Sequence, residues 1–350
     1  SAAYLGSEVV KSLITNSCIT VDDIDEVVFG CVSQPADTMN IARYIAMHSG
    51  IPKETPAVSV HRNCASGMEA ITYCSSKIQS GECDVLIAGG TENMSQMPLL
   101  YNKSAVTKFG NIFKSRTLMK RLINFCKFRP KDFIPDIGLK LGLSDTLCDM
   151  NMGQTAEVLA REYSISRLEQ DRYASISHEK ANAGQMNLSR EMVPVYIRND
   201  DCIKSYSGEY TVPVDNGPRK DSTVAKLSKL RPVFSKGGTV TAGNSSQLTD
   251  GAAGVILMSE AGLKKTGCTP VGKITSFAYA GCDPKRMGIG PVPAVKKAGI
   301  DVKKADLIEI NEAFAAQTLA VIKELSNDGP SIDHIQNITN VNGGSIALGH

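Results

Sequence analysis

Absent from this chain is any apolar run near the roughly 18 residues that a membrane-crossing helix needs, which argues against a transmembrane helix. No secretory signal pattern is visible either. Ten cysteines in 350 residues are too sparse for a disulfide scaffold, and no two stand at C-x-x-C spacing. They read as reduced thiols of a cytosolic or matrix-like compartment. Neither they nor the five histidines show zinc-ligand spacing. One charge sign does not dominate: 38 basic and 36 acidic residues leave a net +2, which gives no general argument for nucleic acid.

What is present is ordinary soluble composition, 42% hydrophobic and 21% charged, in a chain too long for one core. Two or three domains are expected. The charge is uneven. Residues 101–131 hold nine Lys/Arg and no acid, so the remainder carries 29 basic against 36 acidic residues. Elsewhere helical patterns alternate with short apolar runs, which argues for α/β layers with mostly parallel sheets. A helix is predicted over Ser1–Asn16, a strand at Val27–Phe29 and a helix near Asn40–His48. A strand at 57–61 leads into a helix to about Gln79, with Met68, Ile71, Ser75 and Ile78 on one face. Val85–Gly90 reads as a buried strand.

Residues 99–231 break this rhythm, and it returns at Gly254–Met258. The expected organisation is therefore a first half over 1–98 plus 232–262, an inserted loop domain over 99–231, and a second half over 263–350. The halves look related. Ile19–Phe29 resembles Ile300–Ile310, each preceded by an amphipathic helix, and Asn63-Cys64-Ala65 has a counterpart in Asn342-Gly343-Gly344. Both termini look cut, because the chain opens without Met inside a helical pattern and closes on His350.

The chemistry centres on Cys64, at the junction of the 57–61 strand and the helix that follows. A first helical turn offers free N–H groups and a positive dipole end, and both favour the nucleophilic thiolate. The other nine cysteines read as structural. His61 lies three residues back on the strand, which points it to the opposite face. His350, in the Gly/Ala/Ser-rich stretch 342–350, is the better base and His61 the structural one. Asn311, after the expected strand Leu307–Ile310, is either a helix cap or a donor to a developing oxyanion.

Segments 61–70, 241–254, 287–294, 311–317 and 342–350, in this order, resemble the signature segments of thiolases. The similarity covers essentially the whole chain. Residues 150–157 and the basic insert resemble the thiolase subunit of the fatty-acid β-oxidation complex, although some close relatives there carry His at the position of Asn311. The resemblance implies the thiolase-like α/β fold, two similar βαβαβ-type halves packed together around a long insert. It implies no tightly bound cofactor, with CoA and acyl-CoA as substrates. Cys64, deprotonated by His350, would attack the 3-keto carbon of a 3-oxoacyl-CoA, release acetyl-CoA, and pass the acyl group to a second CoA. Asn311, through a water, and His350 would hold the enolate oxygen, and the Cys64 N–H the acyl-enzyme oxygen. Arg219 would lie against the adenine nucleotide, Phe234 against the pantetheine, and Ser246 on its amide, with Met152 and Met287 lining the channel. A second cysteine, in a C-x-G segment beyond the position of His350, has no counterpart among these residues.

Bland alternatives stand beside these. The six Lys/Arg of 219–236 also fit a solvated helix face, and the two methionines also fit core packing. The 101–131 segment fits an anionic membrane surface, a hydratase/dehydrogenase partner subunit, a cover over the acyl tunnel or a solvated lid. A homo-oligomer, dimer or tetramer, is expected from the family, and no nucleic acid. The compartment would be the cytoplasm in a bacterium and the mitochondrion in a eukaryote. A biosynthetic acetoacetyl-CoA thiolase, an inactive acyl-CoA-binding subunit, and a Cys-His condensing enzyme of ketosynthase type are the alternative readings. The last lacks the Asn311-Glu312-Ala313-Phe314 pattern.

Overall fold

The computed structural model describes residues 1–197, 210–327 and 329–350. These form two compact units, Ser1–Ser95 with Gly153–His350, and Gln96–Met152.

The larger unit opens with α1 (Ala2–Thr15), started by the Ser1 hydroxyl, which accepts from the Tyr4 amide. Next come β1 (Glu26–Gly30), α2 (Ile41–His48), β2 (Ala57–Val60), α3 (Ser66–Gln79) and β3 (Val85–Asn93). Every residue of β1 is buried, as a continuous apolar run predicts for a strand covered on both faces. β1 pairs in parallel with β2 and β3, so the chain must cross over between them, and α2 and α3 are those crossovers. Alternation divides the core. Val27, Phe29 and Ile87 face α1 and α2, whereas Val28, Leu86 and Ala88 face α3.

α3 rests on the sheet through Ala70 and Cys74, small enough for close approach. Of the predicted face, Ile71 and Ile78 pack against this part of the core and Ser75 is buried, whereas Met68 in the first turn stands 57% exposed.

In the smaller unit, α4 (Lys103–Lys114) packs on α5 (Leu118–Phe125). Phe109, Phe125, Phe128, Tyr101 and Phe133 form an aromatic cluster beneath them. Asp132, fully buried, accepts from Arg129 N at 2.7 Å, Ser104 Oγ at 2.8 Å and Lys108 Nζ at 2.5 Å. Phe113, Leu118, Met119 and Leu122 are left exposed. Among the described residues no helix is long and apolar enough to cross a membrane. The expected insert, 99–231, is longer than this unit, since residues 153–231 belong with the larger one where described.

The chain continues through α6 (Met152–Glu162), α7 (Arg167–Ala183) and β4 (Asp250–Met258), which pairs antiparallel with β3 to complete the sheet order β4-β3-β1-β2. α8 (Ala315–Ser326) and the single-turn α9 (Ser345–Leu348) follow. The repeat is visible in equivalent 3-10 turns, Val21–Asp23 before β1 and Val302–Lys304 before Leu307. The copies then diverge. Among the described residues, Leu307–Ile310 makes one parallel bridge, between Ile308 and Thr339. A strand requires neighbours, and here a side chain, Asn340, takes both the N–H and the carbonyl of Ile310.

One expectation fails outright. Cys18 and Cys268 are disulfide-bonded with Cα atoms 5.6 Å apart, so these two are not the reduced thiols expected. α1 packs across β4, which brings the turn after the helix beside the segment after β4. A separation of 250 residues hides that proximity from any local reading.

Candidate active site

Cys64 occupies a tight turn between β2 and α3. Asn63 adopts φ 46°, and Ser66 clamps the turn, its Oγ accepting from Arg62 N at 2.9 Å and donating to Asn63 O at 2.7 Å. The turn sits directly against the end of β1. A Cβ on Gly30 would come within 2.5 Å of the Ser66 backbone, so only glycine lets α3 start here. The His61 Nδ1 accepts from Asn63 N at 3.4 Å, a turn-forming contact in line with its structural reading.

The thiolate expectation is corrected by this environment. Burial pushes the Cys64 thiol up, its own backbone N–H opposes that, and the Glu92 carboxylate adds to the rise. Solvent still reaches Cys64. Protein on its other sides removes enough water to outweigh a helix start whose cap, Ala65, has no side-chain acceptor. Cys64 is therefore held as a thiol and needs a base to become a nucleophile.

His350 follows α9 and Gly349. Its Nδ1 lies 3.2 Å from Ser246 Oγ, and its Nε2 lies 3.3 Å from Asn311 Nδ2. The amide nitrogen can only donate, so Nε2 carries a lone pair and Nδ1–H points to Ser246. Burial pushes His350 down, with Glu92 opposing, which favours this neutral form. Asn311 is not a cap: the cap position of α8 is Phe314, three residues on. Ser246, read from the sequence only as a pantetheine contact, touches the base itself, and its N–H donates to Ala313 O at 3.0 Å. No hydrogen bond joins Cys64 to His350, but both lie in the field of Glu92.

Glu92 was not singled out by sequence reasoning. It ends the buried part of β3 and accepts from Val32 N at 2.9 Å, Ser33 N at 3.0 Å and Ser33 Oγ, with Cys31 Sγ at 3.9 Å. The available signal was Gly89-Gly90-Thr91-Glu92 at the carboxyl end of a central strand, where α/β proteins bind ligands.

The remaining candidates are more scattered. Arg219 is exposed, and its N–H donates to His178 Nδ1 at 3.1 Å. Phe234 meets Phe314 edge-on at 5.8 Å and lies against Gly153. Met287 is 39% exposed on the 3-10 turn Pro284–Ile289. Met152 is the last residue of the smaller unit.

Two family models match the chain, Thiolase, N-terminal domain over residues 1–261 and Thiolase, C-terminal domain over 268–350. The chain belongs to the thiolase family. It is 42% identical over 350 residues to the mitochondrial 3-ketoacyl-CoA thiolase of Bos taurus, covering 97% of this chain and 79% of the bovine one. It is 38% identical over 355 residues to the acetyl-CoA acetyltransferase of Shinella zoogloeoides, covering 100% of this chain and 82% of that protein. The crystal structure of human mitochondrial 3-ketoacyl-CoA thiolase in complex with CoA superposes with a TM-score of 0.82 at 37% identity, over 100% of this chain and 81% of the human one. This thiolase is an acyltransferase with the thiolase fold. A reachable thiol, a neutral imidazole and an amide donor suit acyl transfer through a covalent thioester.

Proposed function

We propose that this thiolase cleaves 3-oxoacyl-CoA with CoA, giving acetyl-CoA and a shortened acyl-CoA in fatty-acid β-oxidation. The observation that carries the reading is His350, hydrogen-bonded to Asn311 and Ser246 and favoured in its neutral form by burial, with the Glu92 carboxylate acting on both it and the Cys64 thiol. His350 takes the thiol proton, and the Cys64 sulfur bonds to the 3-keto carbon. The C2–C3 bond then breaks, leaving acyl-Cys64 and the acetyl-CoA enolate, whose oxygen accepts from Asn311 through water. The enolate takes up at C2 the proton that His350 had accepted from Cys64. The CoA thiol then gives its proton to the neutral His350 and attacks acyl-Cys64, whose carbonyl oxygen sits on the Cys64 N–H; the cysteine sulfur departs and recovers that proton from His350. Identity to the bovine 3-ketoacyl-CoA thiolase favours the degradative direction over acetoacetyl-CoA synthesis.

CoA would be bound by Arg219, Phe234 and Ser246, with Met152 and Met287 along the acyl channel, and without a tightly bound cofactor. The division into halves 1–98 plus 232–262 and 263–350 around 99–231 belongs to this reading, as does assembly into a dimer or tetramer. We assign the exposed apolar residues and nine cations of 101–131 to peripheral contact with an anionic membrane or a hydratase/dehydrogenase subunit. The compartment follows the source, mitochondrial in a eukaryote or cytoplasmic in a bacterium; the relatives include a mitochondrial enzyme of Bos taurus and a protein of Staphylococcus epidermidis.

Acyl trapping tests the chemistry. Full-length protein incubated with a 3-oxoacyl-CoA should carry the acyl mass on the Cys64 peptide; an adduct elsewhere, or none during turnover, refutes the assignment and favours an inactive binding subunit. A kcat/KM profile confined to acetoacetyl-CoA would overturn the degradative direction. Salt-sensitive flotation with anionic liposomes is expected for the membrane contact, and its absence would remove that part.

A further inference from the structure

We propose that Glu312 is a positioning residue for His350, acting as an obligate carboxylate clasp. The inference rests on the roles of Cys64 and His350 proposed above. Glu312 follows Asn311 directly, is 1% exposed, and has no ion-pair partner among the described residues. Four donors converge on it. Oε1 accepts from Tyr173 Oη at 3.0 Å and Asn340 Nδ2 at 2.8 Å; Oε2 accepts from Ser177 Oγ at 2.7 Å and Ile346 N at 3.2 Å. Ser177 Oγ in turn accepts from Gly344 N at 3.2 Å.

The two oxygens hold different things. Oε1 faces Tyr173 and the Asn340 turn. Oε2 holds, directly and through Ser177, the amides that begin α9, four to six residues before His350. Gly344 is part of the clasp, since a Cβ there would come within 2.2 Å of the Glu312 carboxyl carbon. The same short loop therefore carries Asn311, which touches the imidazole, and Glu312, which fixes the backbone delivering that imidazole.

Only an acceptor-only group fits. A carboxylate presents about four lone-pair sites on two oxygens, matching the four donors. Glutamine would turn an amide N–H₂ toward two of them and leave donors facing donors. The surrounding charges do not substitute for it. Lys180 is engaged with Thr339 O at 2.8 Å and Gln336 O at 3.3 Å, and Glu309 is also acidic. Tyr173 is held protonated, because burial and the Glu312 charge push it well above its ordinary value.

The test compares E312Q, S177A and Y173F in the full-length enzyme. The readouts are the pH profile of Cys64 alkylation by iodoacetamide, the acyl-Cys64 formation rate, and KM for the CoA thioester. E312Q is expected to slow acylation at least tenfold and displace the alkylation profile to higher pH, with KM unchanged. S177A, on the oxygen that holds α9, should move the profile the same way, and Y173F, on the other oxygen, should match wild type. A folded E312Q with the wild-type profile, or S177A and Y173F behaving alike, would overturn the proposal. If E312Q does not fold, the contrast between the other two decides. Failure of the wild-type enzyme to acylate Cys64 would instead strike the functional reading on which this rests.

Discussion

Replacing Asn340 with alanine should destabilise this thiolase by about 4 kcal/mol, a magnitude that follows from counting what is orphaned. Asn340 is 1% exposed and makes three side-chain bonds, each 2.8 Å. Its Oδ1 accepts from Ile310 N, and its Nδ2 donates to Ile310 O and Glu312 Oε1. Alanine leaves a buried N–H, a buried carbonyl and a carboxylate short of one donor, at roughly 1–3 kcal/mol each. Water entering the vacated volume recovers part of this. The residue also sits at φ 47°, where alanine costs about 1 kcal/mol that glycine does not. N340G should therefore be the more stable of the two by about that amount. Asn340→Asp keeps the acceptor for Ile310 N but sets a second carboxylate against Glu312, so at neutral pH it should do no better than alanine. Urea unfolding followed by circular dichroism measures all three. A loss under about 1 kcal/mol for N340A would mean that these bonds are replaced by solvent at little cost, and the reasoning would fail.

Three further outcomes are expected. Because burial lowers His350, its neutral form persists to lower pH, so the acid limb of Cys64 acylation should fall below the ordinary histidine value of 6.5; a limb above that value contradicts the assignment. In the smaller unit, the Lys108 ammonium, the Arg129 N–H and Ser104 bring Asp132 from 3.8 to about 2. Its contribution is complete above the unfolded value and fades as pH falls toward the folded one, so D132N should be less stable than wild type at neutral pH, with the gap closing at about pH 2. Finally, G30A should cost roughly 1–3 kcal/mol and slow Cys64 acylation, since the new Cβ forces the Ser66 turn outward. Wild-type kinetics in G30A would show that the close approach does not position Cys64.

The first half was legible because its signals are local. Val27–Phe29 is apolar without a break and becomes a fully buried strand. Cys64 is conspicuous because a strand runs straight into a helix there. The helix-start argument for a Cys64 thiolate is local, whereas burial and Glu92, which push the thiol up, are tertiary. Contacts across long separations were equally invisible. Ser246 reaches His350 across 104 residues, and the Cys18–Cys268 bond spans 250.

Among the described residues, different contacts position Cys64 in the first half and His350 in the second. In the first, a parallel sheet sets the position of Cys64: β1 and β2 fix the strand ends, and Gly30 admits the turn. In the second, side chains hold the backbone around the equivalent segment. Asn340 holds Ile310, Glu312 holds the amides that begin α9, and Gln247 Nε2 reaches Ile346 O at 3.1 Å and Ala347 O at 3.0 Å. A backbone ladder tolerates side-chain substitution, because its bonds belong to every sequence. A side-chain clasp does not, since each bond belongs to one residue. Substitutions behind His350 should therefore be more damaging, residue for residue, than those in β2 behind Cys64. Alanine scanning of 58–60 against 312, 340 and 247, read by acyl-Cys64 formation, measures that asymmetry, and equal sensitivity on both sides would contradict it.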